Sequence, residues 1–493
     1  MAKILIIGGG VAGLSAGIYA RLYGHDAVVC ESHFVPGGNL TGWNRGDYHI
    51  DNCIHWLTGT NPVTRMYKMW KKLGALGEVE VFQGDALYVL ERDGEKIGLY
   101  CDIDRIERRM LEISPEDKSE TRRFIRAVKL MQCGIGIAGK KSNSIFTPEA
   151  PLGLSAMSSY YNMTTGELSS RFKHPLLKDF ISAFWGEDFG VYALVFVVAH
   201  YTGKNAGIPH GSSTAMAERM SERFKSLGGE LLLRKEAVKV NLARGRAKSV
   251  SFSDGTEISA DYVILTPDPA SVFGKILDIP MPRQLQRQYK NQRMFRFSSY
   301  HCAFACDMEK LPFEGDFIFE VPDNLRDRLE MNTPGIRSVI VREFSHEPSF
   351  APTGKNILQT LTFCYEDDAK RFIALRDGDR DAYNAKKREI AEILIELIVG
   401  HFPEMRGKLE CIDVWTPATY HRYTKSEMGS YMSFALPSKT IPLPRGSRVR
   451  GLKNVVLATQ WQQSPGGLPI AAAVGKRAAR KIAFKERIIH PFA

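Results

Sequence analysis

The stretch that decides the fold is KILIIGGGVAGLSAGIYA, Lys3–Ala20. Lys3–Ile7 is a β-branched and leucine run closed by glycine, which predicts a short buried strand. Gly8, Gly10 and Gly13 complete G-x-G-x-x-G, and Leu14–Gly24 continues with helical periodicity. Strand, tight turn and helix are the context in which these glycines have separate roles. Gly8 makes the turn, Gly10 lets backbone approach a pyrophosphate, and Gly13 lets helix and strand pack closely. Ala12 counts among the residues against that pyrophosphate. The start of the helix adds unpaired N–H groups and the positive end of its dipole.

The next strand is DAVVCE, and it ends in Glu31, eighteen residues after Gly13. A carboxylate there accepts the hydroxyls of an adenosine ribose, with Ser32 beside it. A dinucleotide is therefore expected. A second match, GIGIAG at Gly134–Gly139, lacks the context: the helix-like ETRRFIRAVKLMQC precedes it and KKSNS follows. It reads as a helix terminator and loop, which leaves one dinucleotide site. The kind of dinucleotide is indicated by ESHFVPGGNLTGWNRGDYHIDNCIHWLTG. Gly37 and Gly38 bring backbone close to the ligand a second time, followed by Asn39 and an Asp51-x-x-x-His55 segment. A cofactor with a large tricyclic head beyond its pyrophosphate needs such a pair, and a nicotinamide dinucleotide does not. FAD is the expected cofactor.

Here the chain resembles the FAD-dependent family of phytoene desaturases, carotenoid isomerases and retinol saturases, within the amine-oxidase superfamily. Its far end, GLKNVVLATQWQQSPGGLPIAAAVGKRAARKI at Gly451–Ile482, is similar to the family's closing motif. The resemblance implies that Gly466, Gly467 and Leu468 lie against the flavin, with the helix start near Pro469–Ile470 facing its pyrimidine edge. A helix N-terminus favours the negative charge of a reduced flavin. The resemblance also places Val238 at the adenine, His55 and Trp56 beside the isoalloxazine, and Trp461 along the flavin. Two departures stand out: Asn39 where relatives commonly have Arg, and Cys53 where glycine is common.

The implied fold class is α/β, a discontinuous Rossmann-like FAD-binding domain of the amine-oxidase type with an α+β substrate domain. The expected FAD-binding pieces are 1–75, 205–285 and 435–493, and the expected substrate domain is 76–204 with 286–434. Ser114 reads as an N-cap ahead of Pro115, and HPLLKDFISAFWG and AYNAKKREIAEILIELIVGHFP read as helices. SVIVREF and NILQTLTFCY read as strands, and Arg244–Gly245 and Asp254–Gly255 as hairpin turns.

At 493 residues, with 44% apolar and 25% charged residues, the chain has the composition of a globular protein with more than one domain. The net charge of +11 is scattered, so a nucleic-acid partner is not expected, while weak attraction to an anionic membrane surface is admitted. Eight dispersed cysteines read as reduced thiols of a cytoplasmic protein, and no metal-ligand spacing is found. The N-terminal apolar run is broken by three glycines and does not read as a signal peptide. No apolar run reaches the roughly 20 residues of a membrane helix. The longest, VYALVFVVAHY at Val191–Tyr201, reads as core or as the lining for an apolar ligand.

The expected activity is FAD-dependent oxidation or reduction of carbon–carbon bonds in an apolar, polyene or isoprenoid-like small molecule. Desaturation, saturation and redox-assisted isomerisation share such a site, and the electron acceptor or donor is not written in the residues. His55 is the candidate proton carrier. Glu187, Asp188, His200 and Tyr201 read as structural or surface groups. Two alternatives remain: an amine oxidase-like flavoenzyme, and a non-catalytic lipid-binding escort protein on the same fold.

Overall fold

The structure is a computed structural model describing residues 1–136, 155, 158, 160–291, 296–333, 335–440 and 444–487. The opening stretch forms β1 (Lys3–Ile7), α1 (Val11–Leu22) and β2 (Asp26–Cys30). Three distant segments complete a parallel sheet: β3 (Glu230–Leu232), β4 (Tyr262–Leu265) and β5 (Val455–Leu457), in the order β3-β2-β1-β4-β5. Apolar runs such as ILII and YVIL are buried without alternation, as strands covered on both faces require. Parallel sheets of this kind bind ligands beyond the carboxyl ends of their strands. Gly8 and Glu31 stand there.

A seven-stranded sheet forms a second layer. Its order is Leu409–Trp415, Ser298–Cys306, Asn356–Cys364, Ser338–Glu343, Asp316–Glu320, Ala86–Arg92 and Glu95–Tyr100. The pairs are antiparallel except Asp316–Glu320 with Ala86–Arg92. One large apolar cluster joins this sheet to α2 (Val191–Thr202) and to the helices Lys118–Gly134, Pro175–Ser182 and Arg380–His401. A three-stranded antiparallel excursion, Ala237–Ala243, Arg246–Phe252 and Glu257–Ser259, turns at Arg244–Gly245 and Asp254–Gly255. Two later helices complete the site: α3 (Pro417–Thr424) and α4 (Leu468–Lys485).

The packing of α4 on α1 brings segments from the two ends of the sequence together. α4 crosses α1 at Gly475, where an added Cβ would lie 2.3 Å from the Ala12 carbonyl and 2.9 Å from Ser15 Cβ. Ser15 Oγ donates to the Ala472 carbonyl at 2.7 Å. Small residues at this crossing let both helices begin at the same crevice, α1 from Gly10 and α4 from Gly467.

One local expectation holds in position but not in bonding: Ser114 is the N-cap, with Pro115 first and acids after it. Ser114 opens a 3-10 turn, Pro115–Asp117, without a side-chain cap, and the helix proper starts at Lys118. Asp117 does not cap it either, because its carboxylate accepts the N–H groups of Lys173 and His174. A tertiary tie has displaced the local one. In the GIGIAG segment the preceding helix ends at Gly134 and Gly136 has a φ of +75°, while residues 137–139 lie outside the described residues. All eight cysteines are free thiols. Among the described residues no helix is long and apolar enough to cross a membrane, and no His, Cys, Asp and Glu group is arranged to hold a metal.

Candidate active site and cofactor cleft

A single cavity of about 1860 Å³ runs from the carboxyl ends of β1 and β2 into the second layer. That exceeds the roughly 300–1,000 Å³ of an ordinary small-molecule site, so it has room for a dinucleotide and a further ligand. One arm is backbone and small residues; the other is aromatic.

The first arm is shaped by glycine. Gly8 has a φ of +99°, and a Cβ on Gly13 would stand 1.9 Å from the Gly8 carbonyl. Gly37 N–H donates to the Gly9 carbonyl at 2.9 Å, and a Cβ on Gly10 would project to within 3.6 Å of the Gly37 carbonyl. Gly8, Gly10, Ala12, Gly37 and Gly38 all line the arm. Glu31 is buried at its edge: Oε2 accepts from Gly9 N–H at 2.6 Å, and Oε1 from His33 N–H and from Ser32 Oγ at 3.1 Å. Four acceptor positions less these three donors leave one open, and the Ser32 hydroxyl can rotate away to free a second. Val238 is exposed at the mouth of the same arm.

The opposite wall comes from the other end of the chain. Gly466 and Gly467 both have positive φ, +84° and +88°, and Gly467 N–H donates to Gln460 Oε1 at 2.8 Å. Leu468 follows as the first residue of α4, whose opening turn faces the cavity. The first turn of a helix leaves N–H groups unpaired. Two helix N-termini thus converge on one cleft. Trp461 borders it from an aromatic cluster, stacked on Tyr289 at 5.5 Å and edge-on to Phe434 at 5.0 Å.

The segment between Gly38 and Trp56, which carries the hairpin Gly42–Arg45 and Tyr48–Asp51, is pinned from both layers. Asp51 accepts from the N–H groups of Cys53, Ile54 and Ser213 and from Ser213 Oγ. The buried Arg342 donates to the Ile54 carbonyl at 2.8 Å. Asn39 lacks the charge of an arginine, and its amide is committed to the Ser430 and Tyr431 carbonyls. Cys53 lines the cavity, with its thiol pushed well up by burial and then by Asp51. His55 is buried, and its Nε2 has no hydrogen-bond partner. Burial, then Arg342 and His301, hold that imidazole well below its ordinary range, so it is neutral.

From His55 outward the wall is aromatic. Trp56 packs on Phe184 at 5.4 Å, Phe184 meets Trp185 edge-on at 4.9 Å, and Trp185 stacks near Phe363 at 5.9 Å. α2 adds Tyr192, Phe196 and Val197. The carboxylates lining the cavity are Glu31, Glu236, Asp268 and Asp413. The first three border the glycine-shaped arm, and Asp413 is engaged by Arg45 at 2.7 Å and by Trp43 Nε1. None stands in the aromatic arm among the described residues.

Sequence reasoning missed α3. It spans the cleft: Tyr420 OH donates to Asn52 Oδ1 at 2.8 Å and lies 3.0 Å from His301 Nε2, while Tyr423 meets the His33 ring at 5.2 Å. The available signal was Thr416–Pro417, a capping threonine before a proline, which does open the helix with a capping box. Glu187, Asp188 and Tyr201 do not line the cavity, whereas His200 does.

The sequence profile of flavin containing amine oxidoreductases matches residues 11–483. The chain therefore belongs to this family, and it is a flavin-dependent oxidoreductase with FAD as its cofactor. It is 23% identical over 471 residues to prolycopene isomerase 2 of an Oncidium hybrid cultivar, covering 89% of this chain and 77% of the relative. It is 26% identical over 298 residues to a neurosporene-forming phytoene desaturase of Rhodobacter capsulatus, covering 56% of this chain and 54% of that one. In fold it is similar to cyclohexylamine oxidase from Brevibacterium oxydans, with a TM-score of 0.56 at 13% identity over 99% of each chain.

Proposed function

We propose that the protein oxidises, reduces or isomerises carbon–carbon bonds of an apolar polyene or isoprenoid-like substrate. The observation that carries this reading is the aromatic arm, open to the FAD cleft at His55 and Trp56 and free of carboxylates among its described residues. A charged amine has no counter-ion there, while a long hydrocarbon gains about 0.8 kcal/mol for each buried methylene. The relatives named as acting on carotenoid skeletons favour the same substrate class.

In this reading the glycine-shaped arm holds the FAD. Glu31 and Ser32 accept the ribose, Val238 lies at the adenine, and the start of α1 faces the pyrophosphate. Gly466, Gly467, Leu468 and Trp461, which line the cavity with the start of α4, would hold the flavin end. FAD bound there would supply hydride transfer. The protein's part is to orient and to exclude water. Trp56, Phe184 and Trp185 hold the chain flat against the junction of the two arms. His55, neutral because burial and Arg342 oppose its charge, is a transient carrier of the proton that accompanies hydride movement.

The test is anaerobic titration of the FAD-loaded protein with matched panels of polyenes and primary amines. Changes in the flavin or the polyene spectrum, with the flavin oxidised or reduced, on adding polyenes and not amines support the reading. Bleaching by amines with no response to polyenes overturns it in favour of amine oxidation.

A further inference from the structure

The helix Arg380–His401 carries a cationic face where the cavity meets the edge strand Leu409–Trp415 of the seven-stranded sheet. Arg380, Tyr383 and Lys387 stand at i, i+3 and i+7, so they share one face, with the two cations about 10 Å apart along it. All three line the cavity, as does Arg376 from the last turn of the preceding helix, Glu366–Gly378. Arg380 is exposed, and Arg376 and Lys387 are partly so, which leaves their charges within reach of a ligand.

These cations are short of counter-ions. The charges of Arg380 and Lys387 lie 5.6 and 5.7 Å from the ring of Tyr383, which is buried and whose hydroxyl meets Thr416 Oγ1 at 2.8 Å. Among the described residues neither cation has a carboxylate partner. Asp413, the carboxylate lining this part of the cavity, is engaged by Arg45 at 2.7 Å and by Trp43 Nε1. Asp377, Asp379 and Asp381 lie outside the cavity lining. Asp377 pairs with Arg376 at 2.9 Å, and Asp379 caps the helix through the Ala382 N–H. Burial lowers the Lys387 pKa; Asp413 opposes that shift and Arg380 adds to it. Two like charges drawn partly out of water are costly unless an anion joins them. Covering Tyr383 does not require them, since an uncharged side chain would do so without the desolvation cost.

We propose that Arg380 and Lys387, flanked by Arg376, form a second ligand site of the cavity that takes a phosphate-bearing small molecule. A guanidinium fork matches two phosphate oxygens and the lysine adds a point charge. A diphosphate group fits two unpaired cations on one face. Prenyl diphosphates and nicotinamide nucleotides both carry that group, the first as substrate and the second as electron donor. The site is built on the second layer, whereas the glycine-shaped arm is built on the parallel sheet and α4. It is independent of the polyene reading above.

The experiment uses the FAD-loaded full chain at fixed ionic strength and three probes: inorganic pyrophosphate, geranyl diphosphate and NADP+. Binding is read by calorimetry, without turnover. One organic probe is expected to bind at least about tenfold more tightly than pyrophosphate, and pyrophosphate to compete with it. Tighter binding of geranyl diphosphate assigns the phosphate to a substrate, and tighter binding of NADP+ assigns it to an electron donor. In the double variant Arg380→Gln, Lys387→Gln that affinity falls at least about tenfold while FAD content and melting temperature stay the same. Exchanging the two cations, Arg380→Lys with Lys387→Arg, recovers part of it. Absence of binding, or an affinity that survives in the double glutamine variant, overturns the proposal. Pyrophosphate bound as tightly as both organic probes overturns it too, as an adventitious ion only. Loss of FAD from the double glutamine variant also overturns it, because the charges then serve the cofactor's own phosphates. Each of these results leaves the polyene reading to its own titration.

Discussion

At the residue scale the site is a set of side chains held neutral or shielded. His55 is the sharpest case: a buried imidazole lining the cavity, beside the guanidinium that also holds the preceding carbonyl. We expect His55→Ala to keep FAD bound, because the loop is pinned by Asp51 and Arg342, and to slow turnover at least tenfold. Stopped-flow reduction and flavin absorbance measure the two separately. Unchanged turnover would reduce His55 to packing. The glycine and Glu31 positions were legible in sequence because their geometry is local: a turn, a close approach, an acid at a fixed distance. The neutral state of His200 was not, since it depends on burial by distant segments and on Asn205 holding one ring nitrogen.

At the scale of elements, the crossing of α1 and α4 sets both helix N-termini at one cleft, the one proposed to hold FAD. Gly475→Ala forces a methyl to 2.3 Å from the Ala12 carbonyl and 2.8 Å from the Ala16 nitrogen. Backbone cannot yield cheaply there. Overpacking of this kind costs about 1–3 kcal/mol, so a lower melting temperature and weaker FAD affinity should appear together. Gly446→Ala, with nothing within 4 Å of the added carbon, is the control. Loss of stability with FAD affinity unchanged would separate the crossing from the cleft. The strand–helix–strand opening and the last helix were readable as elements because each carries its own periodicity and glycine punctuation. α3 was not readable as a wall of the site. Its tie from Tyr420 to Asn52 spans 368 positions, and short aromatic helices look alike until something is packed against them.

At the scale of the whole molecule, burial of imidazoles sets a pH dependence. Burial holds His200 and His301 at about 3 and His346 at about 4, with His55 also far below its ordinary value. The unfolded chain binds these protons below about pH 6.5 and the folded chain does not, so stability falls as pH drops through that range. Asp316 works the other way. Burial raises its carboxyl to about 7, and the folded state gains by protonation between there and about 4. Between pH 6.5 and 5 each imidazole costs roughly 2 kcal/mol, offset about once by Asp316. Thermal unfolding should therefore show a melting temperature that declines from pH 7 to pH 5. A flat or rising profile would contradict the buried neutral histidines.

The central claim is that one cavity brings bound FAD and an apolar polyene into contact. It is tested most directly by mixing the FAD-loaded protein anaerobically with one equivalent of polyene while recording flavin and polyene absorption together. The account predicts that both spectra change with the same time course, in equal amounts for net desaturation or saturation. For isomerisation it predicts a change in the polyene only when FAD is bound and reduced. A polyene that binds without altering either spectrum, in both flavin redox states, would contradict it.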